Sequence, residues 1–282
     1  MNWTNYHMHS HYCDGKGKLA SYVQKAIEKN MYAIGFSGHA PVPFHTNWHI
    51  QSDQLDNYIS EIDSLKSEYK DIRIYSGLEV DYIPGQICPK DYAGRNLDLI
   101  IGSVHYTGKF DDQSHCSIDY KQEEFERGLR CIFNNNIRQL VTRYYELVFE
   151  MIKYDPPDII GHLDLIKKLN KGNRYFNEEE NWYQDIISDV ISAISVTKCI
   201  VEVNTRGYYQ GFTKEFYPSR QILEKCLQAG IRLTISSDAH HPNEMVNNFQ
   251  DVVSLLNDIG YGSIYIFDEG KWCAVQLKTR IK

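Results

Sequence analysis

The sequence predicts an α/β fold in which seven strand–helix units close into a (β/α)7 TIM-like barrel. Segments of strand character alternate with segments of helical periodicity, which is typical of a parallel sheet with right-handed crossovers. Residues 97–104 form an almost continuous apolar run, as expected for a strand buried on both faces. Ionisable residues stand at the ends of most predicted strands, and only a closed barrel would gather them at one mouth.

The predicted elements cover the chain without an internal repeat or a Pro/Gly/Ser-rich linker, so we expect one domain over residues 1–282. The predicted strands span residues 2–8, 31–36, 72–78, 97–104, 158–161, 199–203 and 231–236. The predicted helices span residues 19–30, 52–68, 122–153, 177–197, 218–229 and 245–256. A loop over 107–121 precedes the third helix, and a hairpin or tail over 263–277 follows the last one.

Each helix is predicted from apolar residues that recur every three or four positions. The second helix, for example, has Leu55, Ile59 and Ile62 on one face. Pro156 ends the third helix, because proline lacks the backbone N–H that a helix interior requires. Gly230 gives the fifth helix its stop signal, because glycine is favoured just beyond the last turn.

The composition is that of an ordinary globular protein, with 42% hydrophobic and 24% charged residues among 282. The formal net charge of −7 disfavours a nucleic-acid or anionic-membrane surface, because such surfaces need a basic field. We therefore expect no nucleic-acid partner. An anionic substrate would have to be attracted locally, and bound metal ions are able to do this.

The seven cysteines are widely spaced and form no CxxC pair, so neither a disulfide framework nor a thiolate zinc site is expected. Most are predicted to be small buried residues in a reducing compartment. No basic-then-apolar leader is recognisable, and no apolar run approaches the ~18 residues needed to span a bilayer. We therefore expect a cytoplasmic protein without a membrane segment.

The first predicted strand carries His7 and His9, one residue apart. Residues i and i+2 of a strand point to the same face, so the two imidazoles are able to hold one cation. On a helix the same spacing would send the side chains in nearly opposite directions. The pair predicts a metal site only if further ligands reach the same place.

Six of the seven predicted strands end on or near a His, Asp or Glu, and Asp14 lies in the loop after the first strand. Strand six ends instead on Asn204 and Arg206. Any one of these histidines taken alone is as readily an ordinary buried or surface residue. Imidazole and carboxylate together are ligands that suit zinc, manganese or iron. The predicted metal ligands are His7, His9, Asp14, His39, Glu79, His105, His162, Asp238 and His240.

Nine ligands are too many for one ion, because a catalytic ion keeps about three protein ligands and an open position. They suit three divalent ions, especially if one carboxylate bridges two of them. Three such ions would outweigh three carboxylates and leave the site positive. An acidic protein would in this way favour a phosphorylated substrate.

Eight short motifs in this order resemble the polymerase-and-histidinol-phosphatase (PHP) superfamily, and most nearly its monofunctional histidinol-phosphatase branch. The resemblance extends from residue 7 to residue 240. The motifs are His7-Met8-His9, Asp14-Gly15, Ser37-Gly38-His39, Gly77-Leu78-Glu79, Gly102-Ser103-Val104-His105, Gly161-His162, Glu202-Val203-Asn204-Thr205-Arg206-Gly207 and Ser237-Asp238-Ala239-His240.

The resemblance implies a distorted seven-stranded barrel of the PHP type and a trinuclear centre of zinc, manganese or iron. It assigns four ligands to the first ion, three to the second and three to the third, with Glu79 shared between the first two. These sets are His7, His9, Glu79 and Asp238; then Glu79, His105 and His162; then Asp14, His39 and His240.

The predicted reaction is hydrolysis of a small phosphate monoester by a metal-activated water. Glu79 is expected to bridge two ions, and Asp238 and His240 are candidates to assist the leaving group. No Ser or Cys nucleophile is needed, so Cys13 is interpreted as a packing residue.

Arg206, Lys167 and Lys168 are the predicted substrate-binding residues, since an Arg fork suits phosphate oxygens. The alternative for Arg206 is a structural ion pair, and for the two lysines a solvated surface. The loops 41–50 and 107–121 are predicted to form the pocket wall. Candidate contacts in or near that wall are Phe44, His45, Trp48, His49, Tyr208, Tyr209 and Tyr217.

Four functions remain open at this stage. The first is conversion of L-histidinol phosphate to L-histidinol in histidine biosynthesis, and the second is hydrolysis of another small phosphate ester or a nucleotide. The third is an amidohydrolase-type reaction. That group usually bridges its metals with a carboxylated lysine, whereas this chain has Glu79 at the corresponding position. The fourth is a non-catalytic metal-binding module. The metal identity and the oligomeric state are not predicted.

Overall fold

The computed structural model describes residues 3–277, and the predicted first strand begins at residue 2, outside that range. The strands are β1 Thr4–Asn5, β2 Ala33–His39, β3 Arg73–Asp81, β4 Leu99–Ser103, β5 Tyr106–Lys109, β6 His115–Ser117, β7 Ile159–Ile160, β8 Ile200–Asn204, β9 Leu233–Ser236, β10 Ser263–Asp268 and β11 Lys271–Gln276. Seven of these strands are parallel and form one sheet in the order β1-β2-β3-β4-β7-β8-β9. The remaining four strands form two separate antiparallel hairpins.

The sheet closes where the chain beyond β1 meets the chain beyond β9. His9 N donates to Ala239 O at 2.9 Å, and Ala239 N donates to His7 O at 3.2 Å. On the same seam, the Asn5 side chain donates to Ser237 Oγ at 2.8 Å. These bonds join the two edge strands, so the predicted seven-stranded α/β barrel is confirmed.

The helices follow the strands and cover the barrel, with their apolar faces buried against it. The helices are α1 Leu19–Glu28, α2 Leu55–Glu68, α3 Gln122–Cys131, α4 Ile137–Tyr154, α5 Asn181–Ser195, α6 Arg206–Tyr209, α7 Arg220–Gln228 and α8 Phe249–Ile259. In α2, for example, Leu55, Tyr58 and Ile62 are buried. Within residues 3–277, none of the helices combines the length and apolar character that crossing a bilayer requires.

Two predictions for the insertion between β4 and β7 are wrong in detail. The predicted loop over 107–121 contains the β5–β6 hairpin, which pairs Lys109 with His115. The single predicted helix over 122–153 is two helices, α3 and α4. Asn134 and Asn135 between them have positive φ angles, which no helix can continue through. The short helix α6, directly after β8, was not predicted.

The predicted hairpin over 263–277 is confirmed as β10 and β11. It packs on the barrel through aromatic side chains, with Phe267 against Tyr75 and Trp272 against Tyr6. Tyr6 Oη also donates to Phe267 O at 3.0 Å, which fixes the hairpin to the first strand of the barrel.

Candidate metal centre

All nine predicted ligands lie at the carboxyl ends of the barrel strands or just beyond them. His39 and Glu79 are direct neighbours in the register of β2 and β3. His7 and His9 follow β1, and Asp238 and His240 follow β9, so the closed seam brings these two pairs together. Eight of the nine are buried or nearly so, and Asp14 is the most exposed, at 32% of its side chain.

The first group of donor atoms contains His7, His9, Glu79 and Asp238. His7 Nε2 lies 3.2 Å from Glu79 Oε2 and 3.8 Å from Asp238 Oδ1. His9 Nε2 lies 3.5 Å from Glu79 Oε2 and 3.1 Å from Asp238 Oδ1. Two imidazole nitrogens and two carboxylate oxygens therefore face one point, which suits a tetrahedral divalent ion.

The second group lies on the other oxygen of Glu79. Glu79 Oε1 is 2.9 Å from His162 Nε2 and 3.6 Å from His105 Nε2. Since Oε2 faces the first group, the two oxygens of one carboxylate reach two adjacent sites. Glu79 would therefore be able to hold two ions at once, as the resemblance implies.

The third group contains Asp14, His39 and His240. Asp14 Oδ2 is 3.0 Å from His240 Nε2, and Asp14 Oδ1 is 3.8 Å from His39 Nε2. His9 Nδ1 is also 3.6 Å from Asp14 Oδ1, and His39 Nδ1 is 3.0 Å from Glu79 Oε2. The third group is therefore contiguous with the first two rather than separate from them.

Several of these atoms are buried without a hydrogen-bond partner in the described part of the chain. They include His7 Nε2, His9 Nε2 and Asp238 Oδ1, which all belong to the first group. A buried polar atom without a partner is costly, at roughly 1–3 kcal/mol each. A divalent cation at their centre would satisfy all three, so the donor set fits a metal ion.

The electrostatics of the cluster keep the shared carboxylate anionic and one of its histidines neutral. Burial alone would raise the pKa of the Glu79 carboxyl, but the His7, His39 and His105 rings outweigh it and hold that pKa well below its usual value. Burial, together with His240 and His39, lowers the pKa of His9 to about 3. His9 is therefore neutral, which is the form that binds metal.

Two buried carboxylates orient the histidines; the sequence analysis named Glu202 only as part of a motif, without a role, and did not name Asp81. Glu202 Oε2 is 2.9 Å from His7 Nδ1, and Asp81 Oδ1 is 2.9 Å from His105 Nδ1. Such a contact fixes the ring with Nε2 facing Glu79, where it would hold a metal ion. Asp81 shares a strand face in β3 with the predicted ligand Glu79 two positions away, which is the signal that would have found it.

The backbone at Asp238 adopts a left-handed conformation, with φ of 49°. Such a conformation is uncommon for a non-glycine residue, although Asp and Asn tolerate it best. Arg206 Nη1 donates to Asp238 O at 3.0 Å, and Tyr209 Oη lies 3.4 Å from the same oxygen. Arg206 and Tyr209 on α6 thus hold the turn that aims the Asp238 carboxylate at His7 and His9.

Gly15 explains how Asp14 reaches the cluster from a loop. A Cβ on Gly15 would lie 2.4 Å from the backbone of His9 and Ser10, so a larger residue would push the loop away. Gly15 N also donates to Ser10 O at 3.0 Å, which closes the loop. The close approach leaves Asp14 beside His9 and His240.

A cavity of about 680 Å³ opens on the donor atoms. Its wall includes residues from both predicted loops, 41–50 and 107–121, and from the turn after β8. Arg206 and Lys168 line it, and so do Phe44, His45, Trp48 and Tyr217 among the predicted wall residues. The aromatic part of the wall is packed, since Phe44 stacks on His115 with ring centroids 3.9 Å apart.

Some predicted substrate contacts do not line the cavity. Lys167 is buried with its Nζ 2.7 Å from Asp164 Oδ2, so the structure does not support its prediction as a substrate-binding residue. His49 lies behind the wall, with Nε2 2.9 Å from Asp81 Oδ2. Tyr208 and Tyr209 are likewise outside the lining.

Cys13 is close to the donor atoms without the properties of a nucleophile. Its Sγ lies 3.6 Å from His9 Nδ1. Burial raises the pKa of the thiol to about 12, so it is not a thiolate near neutral pH. This agrees with its interpretation as a packing residue.

The fold and the donor cluster together define a barrel-type metalloprotein with its site at the carboxyl ends of the strands. The chain belongs to the PHP domain family, because the model of that family matches residues 5–206. The predicted family is thereby confirmed.

Curated relatives agree with this assignment, and a solved structure agrees with the fold. The chain is 28% identical to a Schizosaccharomyces pombe protein described as a probable histidinol-phosphatase, over 93% of this chain and 89% of that protein. It is 28% identical to the Bacillus subtilis histidinol-phosphatase, over 85% of this chain and 94% of that protein. The fold is similar to that of Lactococcus lactis histidinol phosphate phosphatase, solved with zinc, L-histidinol and phosphate, with a TM-score of 0.71 at 20% identity, covering 96% of this chain and 98% of that one.

Proposed function

We propose that this protein is a metal-dependent phosphoric monoester hydrolase that converts L-histidinol phosphate to L-histidinol and phosphate in histidine biosynthesis. The observation that carries the proposal is the set of contiguous donor groups, two of which share Glu79, beside a cavity lined by Arg206 and Lys168. The names of the relatives and the ligands of the Lactococcus lactis structure supply the substrate.

Three divalent ions, of zinc, manganese or iron, suit the nine donors, and zinc is the metal in the Lactococcus lactis structure. When bound, such ions supply a water of lowered pKa and offset the charge of the phosphoryl oxygens. The chain's own part is to fix this arrangement. Glu79 holds two sites at a set separation, while Asp81 and Glu202 fix the rings of His105 and His7.

The leaving alkoxide needs a proton or a cation, and Asp238 and His240 are the side chains proposed to assist it. Both line the cavity, and His240 Nδ1 lies 3.4 Å from Asp238 Oδ1. Arg206 and Lys168 are proposed to bind phosphate oxygens from the cavity wall. The partner is a small phosphorylated molecule rather than a nucleic acid, and we propose that the enzyme acts in the cytoplasm as a single domain.

The substrate proposal is tested by phosphate release from the metal-loaded protein. We expect turnover of L-histidinol phosphate to exceed that of other small phosphate monoesters and nucleotides. Protein stripped of metal by a chelator serves as the control and should be inactive. Equal or faster phosphate release from another ester would reject L-histidinol phosphate as the preferred substrate but would agree with metal-dependent hydrolysis. No release from any ester would favour a non-catalytic module.

Replacing Arg206 by Ala is expected to raise KM for phosphate esters about tenfold, because one charge-assisted hydrogen bond to phosphate is lost. Steady-state kinetics should show a smaller change in kcat. The matched control is Arg220→Ala, since Arg220 lies on α7 and pairs with Glu224 and Asp258 away from the cavity lining. A fall in kcat at constant KM would instead mean that Arg206 acts only through its bond to the Asp238 carbonyl.

A further inference from the structure

Among the described residues, five carboxylates line the cavity, and three of them, Asp14, Glu79 and Asp238, belong to the donor groups. The other two are Asp119 and Glu124. Neither was singled out by the sequence, and neither has a part in the function proposed above. A carboxylate on the wall of a phosphate-binding cavity repels the substrate's phosphate unless a positive group of the protein or of the substrate lies beside it.

Asp119 is held in a fixed position next to the metal centre. Ile118 N donates to His105 O at 2.9 Å, so Asp119 lies one residue beyond a backbone bond to a predicted ligand. Its Oδ1 accepts from Ser117 Oγ at 3.0 Å, and its Oδ2 accepts from Lys168 Nζ at 2.9 Å. The Asp119 and Lys168 side chains each retain 19% of their exposure, so both reach the cavity.

Glu124 is placed differently. It lies in the first turn of α3, and its Oε1 accepts from Ser117 N at 2.9 Å. Glu124 is thus tied to Ser117 from a helix, whereas Asp119 directly follows Ile118, whose backbone bonds to the predicted ligand His105. Asp119 is therefore the carboxylate that faces the part of a substrate nearest its phosphate.

The chemistry of a vicinal amino-alcohol phosphate matches this arrangement. In L-histidinol phosphate, only two carbon atoms separate the ammonium nitrogen from the ester oxygen. An ammonium group so close to the phosphate must lie next to the metal centre when the ester is bound there. The Asp119–Lys168 ion pair presents one negative and one positive group side by side, which complements the adjacent ammonium and phosphate.

We propose that Asp119 binds the substrate's ammonium group while Lys168 turns toward the phosphate, so that this ion pair selects amino-alcohol phosphates over esters without the amine. The inference rests on the proposed phosphatase function. It assigns to Asp119 the discrimination between substrates and to the metal ligands the hydrolysis itself. An unpaired ammonium in the cavity would be costly, which is why a single carboxylate can supply selectivity.

The test compares two esters on the metal-loaded protein: L-histidinol phosphate and its deamino analogue, 3-(imidazol-4-yl)propyl phosphate. The wild-type protein is expected to have the higher kcat/KM for the ester that carries the amine. The Asp119→Asn variant should lower the ratio of the two kcat/KM values roughly tenfold to a hundredfold, mainly through KM for the amine. Asp119→Glu, which keeps the charge, should retain part of the preference.

The control variant is Asp112→Asn, which makes the same charge change at an exposed position of the same insertion, outside the cavity lining. It should leave the ratio unchanged. Calorimetric titration of the protein with L-histidinol and, separately, with 3-(imidazol-4-yl)propan-1-ol provides a readout that needs no turnover. Asp119→Asn should weaken the binding of L-histidinol and leave that of the other alcohol unchanged. If Asp119→Asn does not fold, the same ratio of kcat/KM values is measured for Asp119→Glu and for Ser117→Ala. The Ser117→Ala variant removes the hydroxyl that donates to Asp119 Oδ1.

The outcomes separate this inference from the proposed function. A wild type that hydrolyses both esters equally, or an Asp119→Asn variant with the wild-type ratio, would overturn the role of Asp119 and leave the phosphatase function standing. A wild type that hydrolyses neither ester would overturn both. If the ratio of kcat/KM values fell as much in Asp112→Asn as in Asp119→Asn, the effect would be a general one of charge, and the inference would also be rejected.

Discussion

The Asp238→Asn variant is expected to lose kcat/KM for phosphate esters by about 1000-fold while it keeps its fold. The expected size is that seen when a group that stabilises the transition state is removed. Asp238 Oδ1 lies 3.1 Å from His9 Nε2 and belongs to the first donor group. Asn has the same shape but no charge, so it is a weaker ligand, and the variant should also bind less metal.

Asn is the informative replacement because of the backbone at this position. The φ of 49° at Asp238 is one that Asn tolerates as well as Asp, whereas Ala would add strain. The melting temperature and the circular dichroism spectrum should therefore stay near those of wild type. The control is Asp189→Asn, on the exposed side of α5, which should affect neither activity nor metal content. Near-wild-type turnover by Asp238→Asn would remove Asp238 from the site.

The sequence predicted the donor cluster well because barrel geometry is simple. Ligands that follow consecutive parallel strands meet at one mouth whatever the exact strand limits are. The prediction for strand two ended at residue 36, yet β2 reaches His39 and aligns it with Glu79. An error of three residues in the strand end thus left the predicted site unchanged.

The wall of the cavity was predicted less well, because it depends on which way side chains turn in irregular segments. Lys167 and Lys168 are adjacent, and only the structure separates them. A 3₁₀ turn over Leu165–Lys167 directs Lys167 inward to Asp164, while Lys168 reaches Asp119 at the cavity. No periodic pattern in the sequence distinguishes these two directions.

The insertion was the least predictable part of the fold. The run Asn134–Asn136 is a signal for a break, since Asn favours left-handed and capping positions, and Asn136 does cap α4 through Gln139 N. The apolar periodicity on either side of this run concealed the break. The consequence is functional, because the same insertion brings Ser117 and Asp119 to the cavity.

Glu79 has the most central position in the cluster, so its replacement tests the whole arrangement. Ring nitrogens of five histidines, together with the hydroxyl of Ser103, lie within hydrogen-bond or ion-pair distance of its two oxygens. The five histidines are His7, His9, His39, His105 and His162. Among residues 3–277, Glu79 is the one carboxylate that belongs to two of the donor groups.

The Glu79→Gln variant is therefore expected to lose at least one bound metal ion per chain and at least about 1000-fold in kcat. Gln keeps an oxygen that accepts from Ser103 Oγ, so the buried contact at 2.6 Å survives. It cannot offer two anionic oxygens, so the two sites that share Glu79 lose their link. Metal analysis of the purified protein, with Glu68→Gln at the exposed end of α2 as the control, measures the loss directly. If Glu79→Gln kept both the wild-type metal content and the wild-type kcat, Glu79 would not bridge, and the three donor groups would have to act as separate sites.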